Sequence, residues 1–426
     1  MKKIIGKQIL LVFSLIAVLF CFASCKQTPP PEKGSFSVTI TEATENSPAS
    51  YRITVKNSSG KTLASSTVTE LTWSAEVESG VLGVAVEALS SDSKVVGYGY
   101  VTANVESDKA NNVEVTTRKL VFLTTGSTTT GYNTLEEAVA AAVSGSANTI
   151  LINGEVTAKS TMTLTDTNLT LTNYEGVPAK IIDGVTTVET DTGSTSNQVA
   201  RMFQINGSSE FVVTGNTSGK LIFEGAGQTS AATTACNRRV LFFLGTKNAE
   251  KATGSVTVNE GVEVYGIYCE GATSFGTVVR GYGNVTINGG YFHDNFQNGN
   301  GLFCVYATTV VNGGRFENNE SLGSSAIIQN AASGANLTIN NGEFRNNKAN
   351  YACVITVAGA TTTVNGGVFS GNTAGGDNRG AALHGNNDAT VTVNINGGKF
   401  SNNWPYDYYR SKSTLTVAKG VTLNTN

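Results

Sequence analysis

Between Ser35 and about Arg118, apolar and polar residues alternate in short separate runs. These are Phe36–Ile40, Tyr51–Val55, Leu71–Ala75, Val81–Val86, Val95–Val101 and Val113–Val115, divided by polar turns such as Asn57–Lys61 and Ser90–Lys94. Period-two alternation marks strands buried on one face. Six or seven such strands in roughly 85 residues predict a small antiparallel sandwich of immunoglobulin-like type. Trp73 sits inside an alternating run, so it reads as core more readily than as a carbohydrate-stacking ring.

The pattern then changes. Thr134-Leu-Glu-Glu137 has the form of a capping box and opens a helix running to about Val143, with Leu135, Ala138, Val139 and Ala142 on one face. Brief apolar runs follow at Thr149–Ile152, Met162–Leu164, Leu169–Leu171, Lys180–Gly184, Phe211–Val213 and Leu221–Phe223, with Thr186–Val199 and Gly225–Asn237 as loops between them. From Asn284 to Asn403 one phrase recurs five times, a β-branched run, a glycine pair or its equivalent, then Phe-x-x-Asn. Its Phe residues are Phe292, Phe316, Phe344, Phe369 and Phe400, spaced 24, 28, 25 and 31 apart, and its Asn residues are Asn295, Asn319, Asn347, Asn372 and Asn403.

A constant local phrase at uneven spacing means one coil per repeat, with length differences absorbed in loops. A second strand precedes each phrase, at Thr277–Arg280, Leu302–Tyr306, Ala326–Gln329, Cys353–Thr356 and Ala381–His384. Two or three short strands per coil predict a parallel β-helix, with about ten to twelve coils at roughly 25 residues each. Equivalent residues then form columns: Phe fills the interior as stacked rings, and Asn shares amide hydrogen bonds up the stack. The helix serves as a cover for one exposed end of the core. The fold class expected is therefore all-β, an immunoglobulin-like sandwich at 35–118 followed by a helix-capped solenoid at 119–426.

These repeats resemble the bacterial polymorphic outer membrane protein family, whose passenger repeats carry Phe-x-x-Asn and Gly-Gly-Ala-Ile. Gly380-Ala-Ala-Leu383, Gly323-Ser-Ser-Ala-Ile327 and Ala352-Cys-Val-Ile355 approximate the second motif. The resemblance covers 284–403 closely and 119–283 in general character. It implies a right-handed parallel β-helix on the cell envelope, in a family associated with adhesion. The chain departs from that family in ending at Asn426 with no C-terminal barrel, so a lipid anchor is expected in the barrel's place.

That anchor has its own signal. Lys2, Lys3 and Lys7 precede an apolar run from Ile9 to Phe22, the length of a signal-peptide core and short for a membrane span. The run ends in Phe22-Ala-Ser-Cys25, which resembles a bacterial lipoprotein lipobox, with Phe22 where Leu is usual. The resemblance implies cleavage after residue 24 and acylation of Cys25. Residues 25–34 contain Pro29-Pro30-Pro31, a stiff polyproline tether between lipid and domain. The expected location is extracytoplasmic, at the outer membrane.

Composition narrows the chemistry. Charged residues are 14% of 426, and loss of Lys2, Lys3 and Lys7 with the leader leaves 26 basic against 32 acidic residues, a balance of −6. No basic face marks a nucleic-acid partner. His293 and His384 are the only imidazoles and no Cys-x-x-Cys occurs, so no zinc site or cofactor is expected. Without Cys25, the mature chain has Cys236, Cys269, Cys304 and Cys353, whose pairing spacing alone leaves open. Cys304 and Cys353 lie two coils apart, roughly 9.6 Å by rung spacing, too far for a disulfide.

The pairs after each Phe, His293-Asp294, Glu317-Asn318, Arg345-Asn346, Ser370-Gly371 and Ser401-Asn402, form no acidic column of the kind a β-helix lyase or hydrolase needs. Two candidate ligand surfaces stand out. One is a polar stripe at the ends of the upstream strands, Arg280, Tyr306, Gln329, Thr356 and His384, if these share a register. The other is the aromatic segment with Trp404, Tyr406, Tyr408 and Tyr409, which reads more readily as a cover for the far end of the core than as a ligand surface. The leading expectation is a non-catalytic adhesion or glycan-binding module, with a glycan or a host or envelope protein as partner. The competing classes are a carbohydrate-active enzyme and a structural envelope component.

Overall fold

The computed structural model describes residues 32–43, 48–187, 189–190, 198–216, 219–227, 239–245, 254–269, 277–323, 325–330, 334–350, 352, 354–359, 361–385 and 390–426. Cys25, Cys236 and Cys353, the leader, most of the tether and most of the 186–199 and 225–237 loops lie outside those residues.

The described chain is all-β apart from one short helix. At its N-terminal end a three-stranded sheet places Lys33–Glu42 between Thr72–Glu78, which runs antiparallel to it, and Ala110–Thr117, which runs parallel. A four-stranded antiparallel sheet follows the order Thr62–Val68, Ser50–Asn57, Gly80–Leu89, Val95–Val105. Their inward residues, including Phe36, Val38, Ile53, Val55, Val84, Val86 and Val115, share one core, and Trp73 packs against it. The edge strand Thr62–Val68 is not legible in the sequence because Ser and Thr outnumber its apolar residues.

Beyond Ala147 the strands stack in parallel, apart from the two-residue strand Glu189–Thr190, which pairs antiparallel with Gln198–Asn206. Successive coils contribute one strand to each of three long sheets, with 12, 9 and 10 strands among the described residues. The first sheet begins with an antiparallel hairpin, Val121–Thr125 and Thr128–Tyr132, and then continues in parallel to Thr414–Val417. This is a parallel β-helix-like architecture. A further five-stranded ribbon is built of two-residue strands, among them Phe296–Gln297 and Glu320–Ser321, each directly after a Phe-x-x-Asn phrase. Strands so short carry no periodic signal. Gln198–Asn206 and Arg239–Leu244 also escape sequence reasoning; the latter is buried along its whole length, so inside-outside alternation does not appear.

The helix, Leu135–Ala140, has both halves of its capping box, and Leu135, Ala138 and Val139 join the core of the coils. It stops short of Val143 because Asn148 takes over there. The Asn148 side chain accepts the Val143 N–H at 3.0 Å and donates to the Val143 carbonyl at 2.9 Å.

Inside the coils, Phe292, Phe316, Phe344, Phe369 and Phe400 stack with centroids 4.8 to 4.9 Å apart and ring planes within 6°. Beside them runs the asparagine ladder. Each Nδ2 donates to the next Oδ1, Asn295 to Asn319 at 3.0 Å, Asn319 to Asn347 at 3.0 Å, Asn347 to Asn372 at 3.0 Å and Asn372 to Asn403 at 2.9 Å. The same oxygens also accept backbone N–H groups, and the same amides donate to carbonyls such as Phe292 and Phe316. A second ladder, from Asn396 through Asn365, Asn340, Asn312 and Asn288 to Asn259, lies outside on the Asn-Gly-Gly corner with steps of 2.8 to 2.9 Å.

Two substitutions test this packing by chemical denaturation. Phe344→Ala should cost about 3–5 kcal/mol, the range for deleting a buried aromatic ring. Asn319→Leu should cost at least about 2 kcal/mol, because it strands the two Asn295 donors that the Asn319 oxygen accepts. A loss under half these values would mean that the columns do not hold the coils.

Candidate functional site

The third sheet carries the predicted polar stripe, and its register revises that stripe. Arg280 pairs with Cys304, which pairs with Gln329, then Thr356, His384 and Tyr409. Cys304 therefore holds the position assigned to Tyr306. Tyr306 lies two residues further on, where its ring stacks on Tyr282 at 4.6 Å. The run Leu302–Val305 is buried throughout, so the sequence offers no inside-outside alternation from which to read its register.

Nor is the stripe an open surface. Arg280 and Cys304 are buried, and Gln329, Thr356 and His384 are half-buried. The preceding column member, Phe243, lies under the guanidinium of Arg201 at 3.9 Å. Burial pushes the Cys304 thiol upward, so it stays protonated and unreactive.

The aromatic segment divides in two. Tyr408 is fully buried in the core, with its hydroxyl 2.6 Å from the Ser413 hydroxyl. It belongs to the packing and is removed from the candidate ligand surface. Trp404 is 53% exposed, Tyr406 is half-buried, and Tyr409 stacks on His384 at 5.3 Å.

A different surface gathers more chemistry. The second long sheet turns two columns outward, one residue per coil. The first reads Glu155, Lys180, Ile222, Glu263, Tyr291, Arg315, Glu343. The neighbouring column includes Glu224, Tyr265, His293, Glu317 and Arg345. Where the sheet meets the Asn-Gly-Gly corner, a groove of about 660 Å³ opens, lined by Lys220, Glu260, Glu263, Tyr291, Arg315 and Glu343 together with Asn288, Asn312 and corner glycines. Beside the lining residues Asn288 and Gly290, Gly289 leaves room for Glu260: a Cβ there would come within 2.4 Å of its carboxylate.

The groove's charges are mostly committed. Lys220 Nζ lies 2.6 Å from Glu263 Oε2, and His293 Nε2 lies 3.2 Å from Glu263 Oε1. Arg315 pairs with Glu317, Arg345 pairs with Glu343 at 3.0 Å, and Tyr291 donates to Glu317 at 2.9 Å. The Tyr291 ring is stacked against His293 at 4.1 Å, with the Arg315 guanidinium 4.8 Å from its centroid. Burial pushes the Glu263 carboxyl up, but bonds from Lys220 and His293 outweigh it and hold the group below the usual carboxylate range. Glu224 is held low by Lys180, against burial, with help from Tyr265.

Sequence reasoning misses this groove because it looks to the residues after each Phe. Tyr291, Arg315 and Glu343 each stand immediately before one. Among the described residues no cluster of three or more His, Cys, Asp or Glu side chains is placed to hold a metal, and no described helix is long and apolar enough to cross a membrane. No family model, curated protein or solved structure matches the chain. Fold and groove together define its class, an all-β protein of parallel β-helix-like architecture with a polar surface groove.

Stability should fall in acid in two stages. His384 is pushed down to about 4, first by burial and then by Arg379. An unfolded histidine titrates near about 6.5, so the unfolded state binds the extra proton and stability drops as pH falls from about 6.5 toward 4. Glu263 and Glu224 have depressed folded values, so their contribution is present above the ordinary carboxylate range and lost as pH falls through it. Urea denaturation at about pH 7, 5 and 3.5 should show His384→Gln removing the first loss and leaving the second. An unchanged first stage in the variant would contradict this assignment.

Proposed function

We propose that this chain is a lipid-anchored envelope protein that binds glycan through the groove of its second sheet. The observation that carries the reading is the groove's lining: hydrogen-bonding side chains and backbone on a glycine floor, with its lysine and arginine paired to acids. A neutral polyhydroxylated ligand exchanges hydrogen bonds with such a surface without breaking ion pairs. Glu260 lies free of those pairs and is the natural acceptor for ligand hydroxyls.

In this reading the solenoid is right-handed, its helix covers one end of the core, and residues 35–118 form an immunoglobulin-like module that spaces the groove from the membrane. Adhesion is then the use of the bound glycan. Binding of neutral oligosaccharides, measured by titration calorimetry after a glycan array, should fall at least tenfold in Glu260→Gln or Arg315→Ala with thermal stability retained. Equal binding by the variants places the ligand elsewhere.

A second reading, a glycoside hydrolase, draws on the same groove, since its lining includes the carboxylates of Glu260, Glu263 and Glu343, although Glu343 stands three coils from Glu263, roughly 14 Å by strand spacing. Acid catalysis needs a carboxyl held protonated near neutral pH, whereas Glu263 is held ionised. A reducing-end assay on the array hits separates the two, and release of new reducing ends establishes hydrolysis.

The anchor rests on the leader and Cys25. Wild-type protein should partition with membranes and shift in mass under globomycin. Cys25→Ala should be soluble, and a membrane-bound variant would sink the anchor.

A further inference from the structure

The groove has a neighbour. A second cavity of about 550 Å³ lies where the four-stranded N-terminal sheet meets the first coils, lined by Lys56, Glu87, Tyr98 and Tyr100 on one side and by Glu155, Lys180 and Ile222 on the other. Its two walls are fixed to each other. Tyr98 and Arg118 exchange backbone hydrogen bonds at 2.8 and 3.0 Å, and the Asn153 side chain donates to the Tyr98 carbonyl at 2.8 Å. The Tyr98 ring packs on Gly154, where a Cβ would meet it at 2.6 Å.

The two cavities share one outward column. The junction cavity takes in Glu155, Lys180 and Ile222, and the groove begins at Glu263, the residue in register with Ile222 on the next coil. Side chains bridge the boundary, for Lys180 reaches Glu224 at 2.7 Å, Glu224 accepts from Tyr265 at 2.8 Å, and the Tyr265 ring stacks on His293 at 5.3 Å. We infer that the two cavities are segments of one track, which takes a long unbranched glycan lying parallel to the stacking axis. The inference rests on the glycan-binding reading above and adds the ligand's shape and length.

The geometry favours a polymer over a small sugar. From Glu155 to Glu343 the column makes six coil-to-coil steps, roughly 29 Å at the spacing of stacked strands. An extended β-1,4-linked chain advances by nearly the same distance per sugar as the solenoid does per coil. Each sugar thus meets one outward residue of the column, and from Glu263 onward a corner amide of the outer ladder as well. A track with one subsite per coil gains affinity with every sugar added until its length is filled.

Cello-oligosaccharides of two to eight units, titrated calorimetrically into the whole protein, test this. Affinity should climb with length and level off at about six to seven units, matching the span. Tyr100→Ala and the exposed Lys56→Ala should each weaken the longest chains at least fivefold and leave the trimer unchanged, with melting temperature as the check on folding. Affinity that saturates at two or three sugars, with both variants silent, overturns the track and leaves the groove as a short site. Failure of every length to bind, alongside a glycan array without hits, overturns the glycan reading and the track with it.

Discussion

The buried asparagine ladder is the constraint from which much of this architecture follows. A carboxamide in an apolar interior is costly unless its donors and acceptor are satisfied. Here each oxygen from Asn319 to Asn403 accepts a side-chain amide and a backbone N–H, while each amide from Asn295 to Asn372 donates to the next oxygen and to a carbonyl one coil back. The chain of bonds has a direction, so each end needs a different partner. At one end the Ile267 N–H donates to Asn295 at 3.0 Å. At the other, the Asn403 amide donates to Asp407 at 2.7 Å, and the second Asp407 oxygen accepts the Asn424 N–H at 2.8 Å. A carboxylate terminates the ladder because the last group in line is a donor.

Register follows from that ladder. A slip by one coil residue would break amide bonds and misalign the Phe rings at once, since both sets are locked to the same five phrases. The residue before each ladder Asn turns through positive φ at Asp294, Asn318, Asn346, Gly371 and Asn402. Asn, Asp and Gly tolerate that turn better than other residues. Those positions are thereby limited to residues that accept the turn. Freedom to vary remains at the positions on either side of each Phe, outward on the second sheet, and the groove's Tyr291, Arg315 and Glu343 stand at the one before it.

Much of this is legible in the residues, and the gaps have physical causes. The Phe and Asn columns can be read because each phrase is local and nearly identical. The capping box at Thr134 can be read for the same reason, although Asn148 ends the helix early from a distance. Tyr306 is mistaken for the occupant of Cys304's place because its strand is apolar on both faces and the intervening loops differ in length. Tyr408 stands in a run of aromatic and charged residues that suits either a surface patch or a cover for the core, and it faces inward to meet Ser413. The groove is least legible of all. Its residues come from different coils and become neighbours only through the register, and Glu260 reaches it across a glycine on the next coil.

Backbone hydrogen exchange measures the ladder most directly, since the amides of Ile267, Asn295, Asn319, Asn347 and Asn372 donate to its oxygens. If the ladder holds the coils together, these five amides exchange only through global unfolding, with opening free energies that match denaturation and fall with denaturant at its slope. Exchange of the same amides at the rate of exposed turns, while the flanking strands remain protected, would contradict the account.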